Sequence, residues 1–404
     1  MQIEPTLGAT SPSNPFRPGN GVRPPYLAGR DVLLDEFERF LTEATPTHAN
    51  WSLTGIRGTG KTVLLGEFAA RGERAGWLCL DRELGERHRD DMRLAEAISA
   101  DCAALVRRCD ALASFSEVVE RGWRYVRPRR VSVGGIGIEP AYQTPDAEAA
   151  DMLRNALTRL DEALVRSGTS GALLLYDEAH LLTDDRRRER YPLSTFLAAL
   201  GHVQRRAPRV RVVLCGLPTL SLNLKRARTY AERMFRHVVI SHLEWMDAWD
   251  AMEIPLADSG RSFTPLLVRE IVERTDGYPY FLQFFGGFLC SRLAKPTIDL
   301  SDYRSMESSL LHELDLAFFE DRYLGAGAAG QRVLGEMAQI GGRASALWLR
   351  RALTDLPNVD VVLRRLTDRG LVYRPTRGAY DFALPMFGSY ILRRAELTEL
   401  APRR

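Results

Sequence analysis

The chain has 404 residues, 45% hydrophobic and 26% charged, with a net charge of +3. That length suggests two or three domains, and the composition excludes a chain that is disordered, collagenous or coiled-coil throughout. The longest nearly uninterrupted apolar stretches, 172–176 and 281–290, are far short of the roughly 18 residues that cross a bilayer, so no membrane partner is expected.

The N-terminus lacks the basic start and apolar run of a secretory signal. Five widely spaced cysteines without a CxxC pair suit free thiols in a reducing cytoplasm better than a disulfide framework or a zinc site. Residues 1–25 hold Pro5, Pro12, Pro15, Pro18, Pro24 and Pro25 with little apolar content, and read as a flexible head. Apolar residues at helical spacing then predict a helix over about 31–44. A strand at 51–54, a Gly-rich turn, a helix from Thr62 and a strand at 76–80 follow. Residues 90–125 read as helical, with Leu94, Ile98, Cys102 and Leu105 on one face. The alternating segment 131–138 reads as a hairpin or a loose insertion.

Helix 146–166, strand 172–176, helix 190–206 and strand 210–215 complete this half. Strands that alternate with helices and read as continuous apolar runs indicate an α/β fold with a parallel sheet covered by helices. After 244 the strands stop. Residues 244–318 read as helical, with Phe281, Phe284, Phe285 and Phe288 as core, interrupted by a turn at Thr275-Asp276-Gly277-Tyr278-Pro279. Helices at 327–339, 344–353 and 358–369, then a β-hairpin of 371–374 and 379–383 around a turn, give the order of a winged helix-turn-helix. No internal repeat is evident.

The strongest signal is Gly55-Ile56-Arg57-Gly58-Thr59-Gly60-Lys61-Thr62, followed by Val63. It fits GxxxxGK[ST] in full and lies between a strand and a helix, as its mechanism requires. The glycines let backbone N–H groups turn inward around phosphate oxygens at a helix N-terminus. Lys61 would contact the β and γ phosphates of ATP, and Thr62 would offer its hydroxyl to Mg²⁺. In a chain with only three lysines, Lys61, Lys225 and Lys295, this one stands out. Asp177 and Glu178, ending the strand at 172–176, supply the acidic partner: Asp177 to hold the metal and Glu178 as general base.

These residues give the chain a pattern that resembles the AAA+/STAND group of P-loop ATPases, in particular the branch of origin-recognition initiators with a C-terminal winged helix. The letters Asp177-Glu178-Ala179-His180 also spell the DEAH box of superfamily 2 helicases. That family needs a second RecA-like domain, which the helical C-terminal half does not offer, and His180 then reads as a helix-start residue, with contact to the site as the lesser alternative.

The resemblance implies a P-loop ATPase domain over 26–243, a helical lid over 244–318 and a winged helix over 319–404. It assigns Tyr26, Gly29 and Arg30 to a Gly-Arg box beside adenine and ribose, and Pro279 to a GxP turn near the nucleotide. Glu232-Arg233-Met234-Phe235-Arg236 is similar to the segment that delivers an arginine finger, with Arg233 the first candidate and Arg236 the second. A finger acting in trans would imply a homo-oligomer. Two departures imply slow turnover: no polar residue directly follows the strand at 210–215, and no arginine is evident at 277–283.

Residues 323–404 hold 13 arginines against 7 acidic residues. Arg364 and Arg365 on the third helix, with Arg374 and Arg377 on the wing, are the candidates for contacting duplex DNA. The expected function is a nucleotide-controlled switch binding ATP or ADP, coupled to DNA, or alternatively one that recruits a protein effector without touching DNA.

Overall fold

The sheet explains why most of the strands are legible. In a computed structural model that describes residues 14–19, 21–44, 46–120, 145–205 and 209–400, five strands run parallel: Asn50–Thr54 (β1), Trp77–Glu83 (β2), Gly171–Asp177 (β3), Val210–Gly216 (β4) and Phe235–Val239 (β5). Their order is β2-β3-β4-β1-β5. β1 and β4 are buried at every position and β3 at all but its last, because helices cover both faces and no position has to be polar. β5 is absent from the sequence reading, which takes 232–236 as a finger-bearing segment. It is an edge strand whose first residue alone is buried, so it carries no apolar run.

Among the described residues, seven α-helices dress this sheet: Asp31–Thr42 (α1), Lys61–Arg74 (α2), Asp91–Glu120 (α3), Pro145–Ser167 (α4), Pro192–Gln204 (α5), Thr219–Ala227 (α6) and Ala231–Met234 (α7). Phe37 of α1 stacks on Phe68 of α2 at 3.7 Å between centroids, and Trp51 of β1 meets both rings edge-on. The alternate residues of the strands, among them Leu174, Tyr176, Val212 and Leu214, pack with Leu94, Ile98, Cys102 and Leu105 of α3 and Leu157 and Phe196 of α4 and α5. Successive side chains of a strand point to opposite faces, so the two sets fill two layers. The segment 131–138 lies outside the described residues.

Contacts divide the chain into two compact units. One comprises Val32–Gly55 and Lys61–Ile240. The other comprises Ser241 onward, the residues up to Asp31, and Ile56–Gly60. The second unit contains Trp245–Ala257 (α8), Ser262–Phe263 (β6), Pro265–Thr275 (α9), Pro279–Arg292 (α10), Thr297–Ile298 (β7) and Leu300–Leu314 (α11). A π-helical turn at Asp315–Phe319 leads into Glu320–Gly325 (α12) and Gly327–Gln339 (α13).

Ala344–Ser345 (β8), Ala346–Ala352 (α14), Val359–Asp368 (α15), Val372–Tyr373 (β9), Ala379–Phe382 (β10) and Phe387–Leu400 (α16) complete it. The expected hairpin over 371–374 and 379–383 is present as β9 and β10, but the reading of 244–318 as helical throughout is corrected: β6 and β7 pair there in parallel, and β8 adds a third strand to the hairpin in an antiparallel sheet. Strands of two residues have no periodicity to read. Phe281, Phe284, Phe285 and Phe288 are all core, as their spacing indicates. All five cysteines are buried. Among the described residues no helix is long and apolar enough to cross a membrane.

The head also needs correction where it is described. Phe16 is only 4% exposed and stacks on Phe263 at 5.9 Å. Its ring takes the space over Gly286 of α10, where a Cβ would come within 2.7 Å of it. Asn14 Nδ2 donates to the Gly287 carbonyl at 2.9 Å, and Arg17 N donates to Gln283 Oε1 at 3.0 Å. One buried aromatic suffices here because proline-rich chain has less backbone freedom to lose. Phe16→Ala is therefore expected to destabilise the unit by about 3 kcal/mol, as for other buried phenylalanines. Thermal unfolding at an unchanged midpoint would show that the segment is not packed.

Candidate functional site

β1 ends at Thr54, and the loop from Gly55 to Gly60 leads into α2 at Lys61. Gly58 and Gly60 have φ of 76° and 88°, left-handed conformations that glycine adopts without steric cost. A Cβ at Gly60 would meet nothing within 4 Å, so the loop is open there. Gly55 N donates to the Gly216 carbonyl at the end of β4, 3.2 Å. Thr59, buried, closes the loop on itself through Oγ1 to the Ile56 carbonyl, 3.0 Å. Ile56, Lys61 and Val63 are half-buried, while Arg57 and Thr62 are exposed.

Thr62 Oγ1 donates to Asp177 Oδ2 at 2.6 Å, and Asp177 Oδ1 accepts from Glu178 N at 2.7 Å. Cys215 of β4 lies against the same cluster. Burial pushes its thiol well up, Asp177 adds to that, and the Lys61 ammonium opposes it. Lys61, Thr62, Asp177 and Glu178 therefore converge at the edge where β1, β3 and β4 finish. Among the described residues no three His, Cys, Asp or Glu side chains form a self-contained metal site. A hydroxyl with one carboxylate is instead the donor set with which Mg²⁺ is held alongside phosphate oxygens.

Glu178 sits in a left-handed conformation, φ 53° and ψ 25°, uncommon for a residue with a side chain. Its Oε2 is 3.2 Å from Nδ1 of His180, which is 8% exposed. His180, read from the sequence first as a helix-start residue and second as a contact of the site, stands beside the acidic pair. The available signal was Gly216 across the strands, which leaves room for an imidazole.

Within the C-terminal unit, other residues surround the loop segment Ile56–Gly60. Arg30 Nη2 donates to the Ser241 carbonyl at 2.9 Å and more weakly to that of Thr59 at 3.4 Å. Burial lowers the Arg30 pKa, and the Asp247 charge opposes that. Gly29, with φ 64°, packs so closely against Asp247 that no Cβ fits. Tyr26 is half-buried, its phenol raised by burial and by Asp31, Asp250 and Asp247.

Pro279 opens α10, but the hydrogen bond to the loop is made by its neighbour. The buried Tyr278 hydroxyl donates to the Arg57 carbonyl and fills the space that a side chain on Gly58 would need. Tyr278 was missed in the sequence, although a tyrosine between Gly277 and Pro279 has its backbone fixed on both sides.

Arg233 is exposed on α7. β5 pairs Phe235 with Asn50 and Val239 with Thr54, so α7 lies where the strands begin and the phosphate loop where they finish. The structure does not bring Arg233 to Lys61 and Asp177 of its own chain. Arg236 is engaged elsewhere, paired with Glu36 and 5.0 Å over the Trp51 ring. Arg364 and Arg365 on α15, and Arg374 and Arg377 around the β9–β10 turn, are all exposed. No ion pair involves any of the four among the described residues, and Arg374 covers the Tyr380 ring at 5.4 Å.

A family model described as a domain of unknown function (DUF8462) matches residues 316–391. No curated protein matches the sequence. Among solved structures, the chain is similar to a Walker-type ATPase of Pyrococcus abyssi over 91% of its own length and 96% of that chain, with a TM-score of 0.52 and 17% identity. It is similar to the ORC2 protein of Aeropyrum pernix, solved as ADPNP–ADP complexes, over 95% and 98%, with a TM-score of 0.51 and 15% identity. At such identities the likeness is one of fold. The fold is that of the P-loop NTPases, a parallel sheet covered by helices with a helical C-terminal region, as the sequence predicts.

Proposed function

We propose that the protein is a nucleotide-controlled switch of the AAA+/STAND kind, an ATPase of slow turnover coupled to duplex DNA. One observation carries this reading: Thr62 Oγ1 and Asp177 Oδ2 meet at 2.6 Å beside a glycine loop that is open at Gly60. The residues fit ATP and Mg²⁺. Backbone N–H groups from Gly58 to Thr62 would cradle the phosphates of ATP, with Lys61 contacting the β and γ groups. Thr62 and Asp177 would hold Mg²⁺, whose charge is what it supplies. Glu178 would take the proton of the attacking water. Tyr26, Gly29 and Arg30 would flank adenine and ribose, with Pro279 near the nucleotide.

Arg233, remote from its own loop, would act as a finger only toward a second copy, which makes a homo-oligomer part of the proposal. The slow rate follows from β4 ending in Cys215-Gly216 and from the lack of an arginine at 277–283. Residues 26–243 would form the ATPase domain, 244–318 the lid and 319–404 the winged helix. Unpaired, exposed Arg364, Arg365, Arg374 and Arg377 favour DNA over a protein effector, because guanidinium groups without carboxylate partners remain available to phosphates.

Fluorescent-nucleotide binding and turnover test the first half. Lys61→Ala is expected to weaken ATP binding by about 10- to 100-fold, the loss of one or two charged hydrogen bonds. Glu178→Gln should keep binding while turnover falls by about 10² or more. Full affinity in the lysine variant would sink the reading. For the second half, the double variant Arg364→Ala, Arg365→Ala should reduce the slope of log K against log salt for duplex DNA by about 2. A wild-type protein that ignores DNA at low salt would hand the C-terminal elements to a protein effector.

A further inference from the structure

We infer that His180 is a positioning residue that holds the Glu178 carboxylate, and that Gly216 is glycine to make room for it. The inference rests on the ATPase reading above and adds a residue to it. Glu178 directly follows a buried strand, yet its own side chain is 29% exposed and has several rotors to fix. A general base works only when its oxygen is aimed at the water it deprotonates, and misplacement by an ångström is costly. Two features constrain the carboxylate. The left-handed backbone at Glu178 departs from the strand direction and sets the side chain's origin. His180 Nδ1 then stands 3.2 Å from Oε2.

The turn that carries the imidazole is itself fixed. Asn223 Nδ2 on α6 donates to the His180 carbonyl at 2.9 Å and to that of Leu182 at 3.3 Å, pinning the turn from behind. On the other side stands Gly216. A Cβ there would lie 2.8 Å from His180 N and 3.1 Å from both Cβ and Nδ1. The φ of Gly216 is not positive, so the backbone does not require glycine at this position. The space does. Gly216 also receives the first hydrogen bond of the phosphate loop, from Gly55 N, so one residue borders both the loop and the base's support.

The test uses the full chain. In the nucleotide-free protein, Glu178→Gln should shift the ¹⁵N resonances of the His180 ring and of no other histidine. A ring that does not respond overturns the contact. In turnover assays, His180→Ala should lower kcat by about 10- to 100-fold, with fluorescent-ATP affinity unchanged. His180→Asn should restore part of the rate, and Gly216→Ala should reproduce the alanine defect. Wild-type kcat in His180→Ala, or a loss of binding that parallels the loss of rate, overturns the positioning role alone. A wild-type protein that binds and hydrolyses no ATP overturns the ATPase reading as well, which the Lys61→Ala comparison reveals. Should the alanine variant fail to fold, the ring resonances of wild type and Glu178→Gln still decide the contact.

Discussion

In a parallel sheet every strand finishes on the same edge, and the candidate chemistry depends on that constraint. The order β3-β4-β1 leaves one strand between the phosphate loop and the acidic pair, which allows Thr62 to reach Asp177 across 115 residues of sequence. Register does the rest. Val213 is level with both Trp51 and Leu175, so Asp177 falls beside the last turn of chain before the loop. A one-residue slip of β3 would send Asp177 to the opposite face. What prevents the slip is burial: alternate residues of β3 pack into different layers, and shifting them would expose or overfill both.

Two charges buried in this frame, Asp101 and Arg211, are each partnered. Asp101 of α3 receives Arg82 Nε at 2.8 Å and the Tyr176 hydroxyl at 3.2 Å, tying the long helix to β2 and β3. Arg211, 3% exposed on β4, donates to the Phe40 and Glu43 carbonyls between the rings of Phe40 and Trp77, and its burial lowers its pKa to about 10. Leaving either charge without partners would cost several kcal/mol. The apolar layers and these two anchors make the edge at Thr54, Asp177 and Gly216 a rigid platform, on which a strained residue such as Glu178 can persist.

What was legible in the sequence follows from physics. Buried parallel strands show as apolar runs, and a phosphate loop has a spacing fixed by glycine backbone, so β1, β3, β4 and Gly55–Thr62 could be read directly. Features that depend on one long-range partner could not. β5 needs β1 to be recognised as a strand, since only Phe235 of its five residues is buried. Phe16 looks like part of a disordered head until Gly286 provides its socket. Tyr278 and His180 announce nothing alone, because each acts by filling space left by a glycine in a distant segment, Gly58 and Gly216 respectively. In both cases the signal is a pair, and neither member is unusual by itself.

Tyr278 has a consequence for the loop that geometry alone dictates. The Arg57 carbonyl and the Gly58 N–H belong to one planar trans peptide unit, in which oxygen and hydrogen point in opposite directions. Holding the oxygen on the tyrosine hydroxyl therefore aims the N–H away from Tyr278. The tyrosine is itself held: its ring meets Phe318 of the π-helical turn at 6.3 Å, and Phe318 carries the Arg322 guanidinium 3.9 Å above its face. Phe319 stacks on Phe387 and Tyr390 of α16, which Arg393 and Arg394 fasten to Asp315 and Glu320. A run of contacts transmits a change only where some element has two arrangements. The π turn is the segment of this run whose backbone departs from α-helical pairing, and such single turns are common at functional positions in helices.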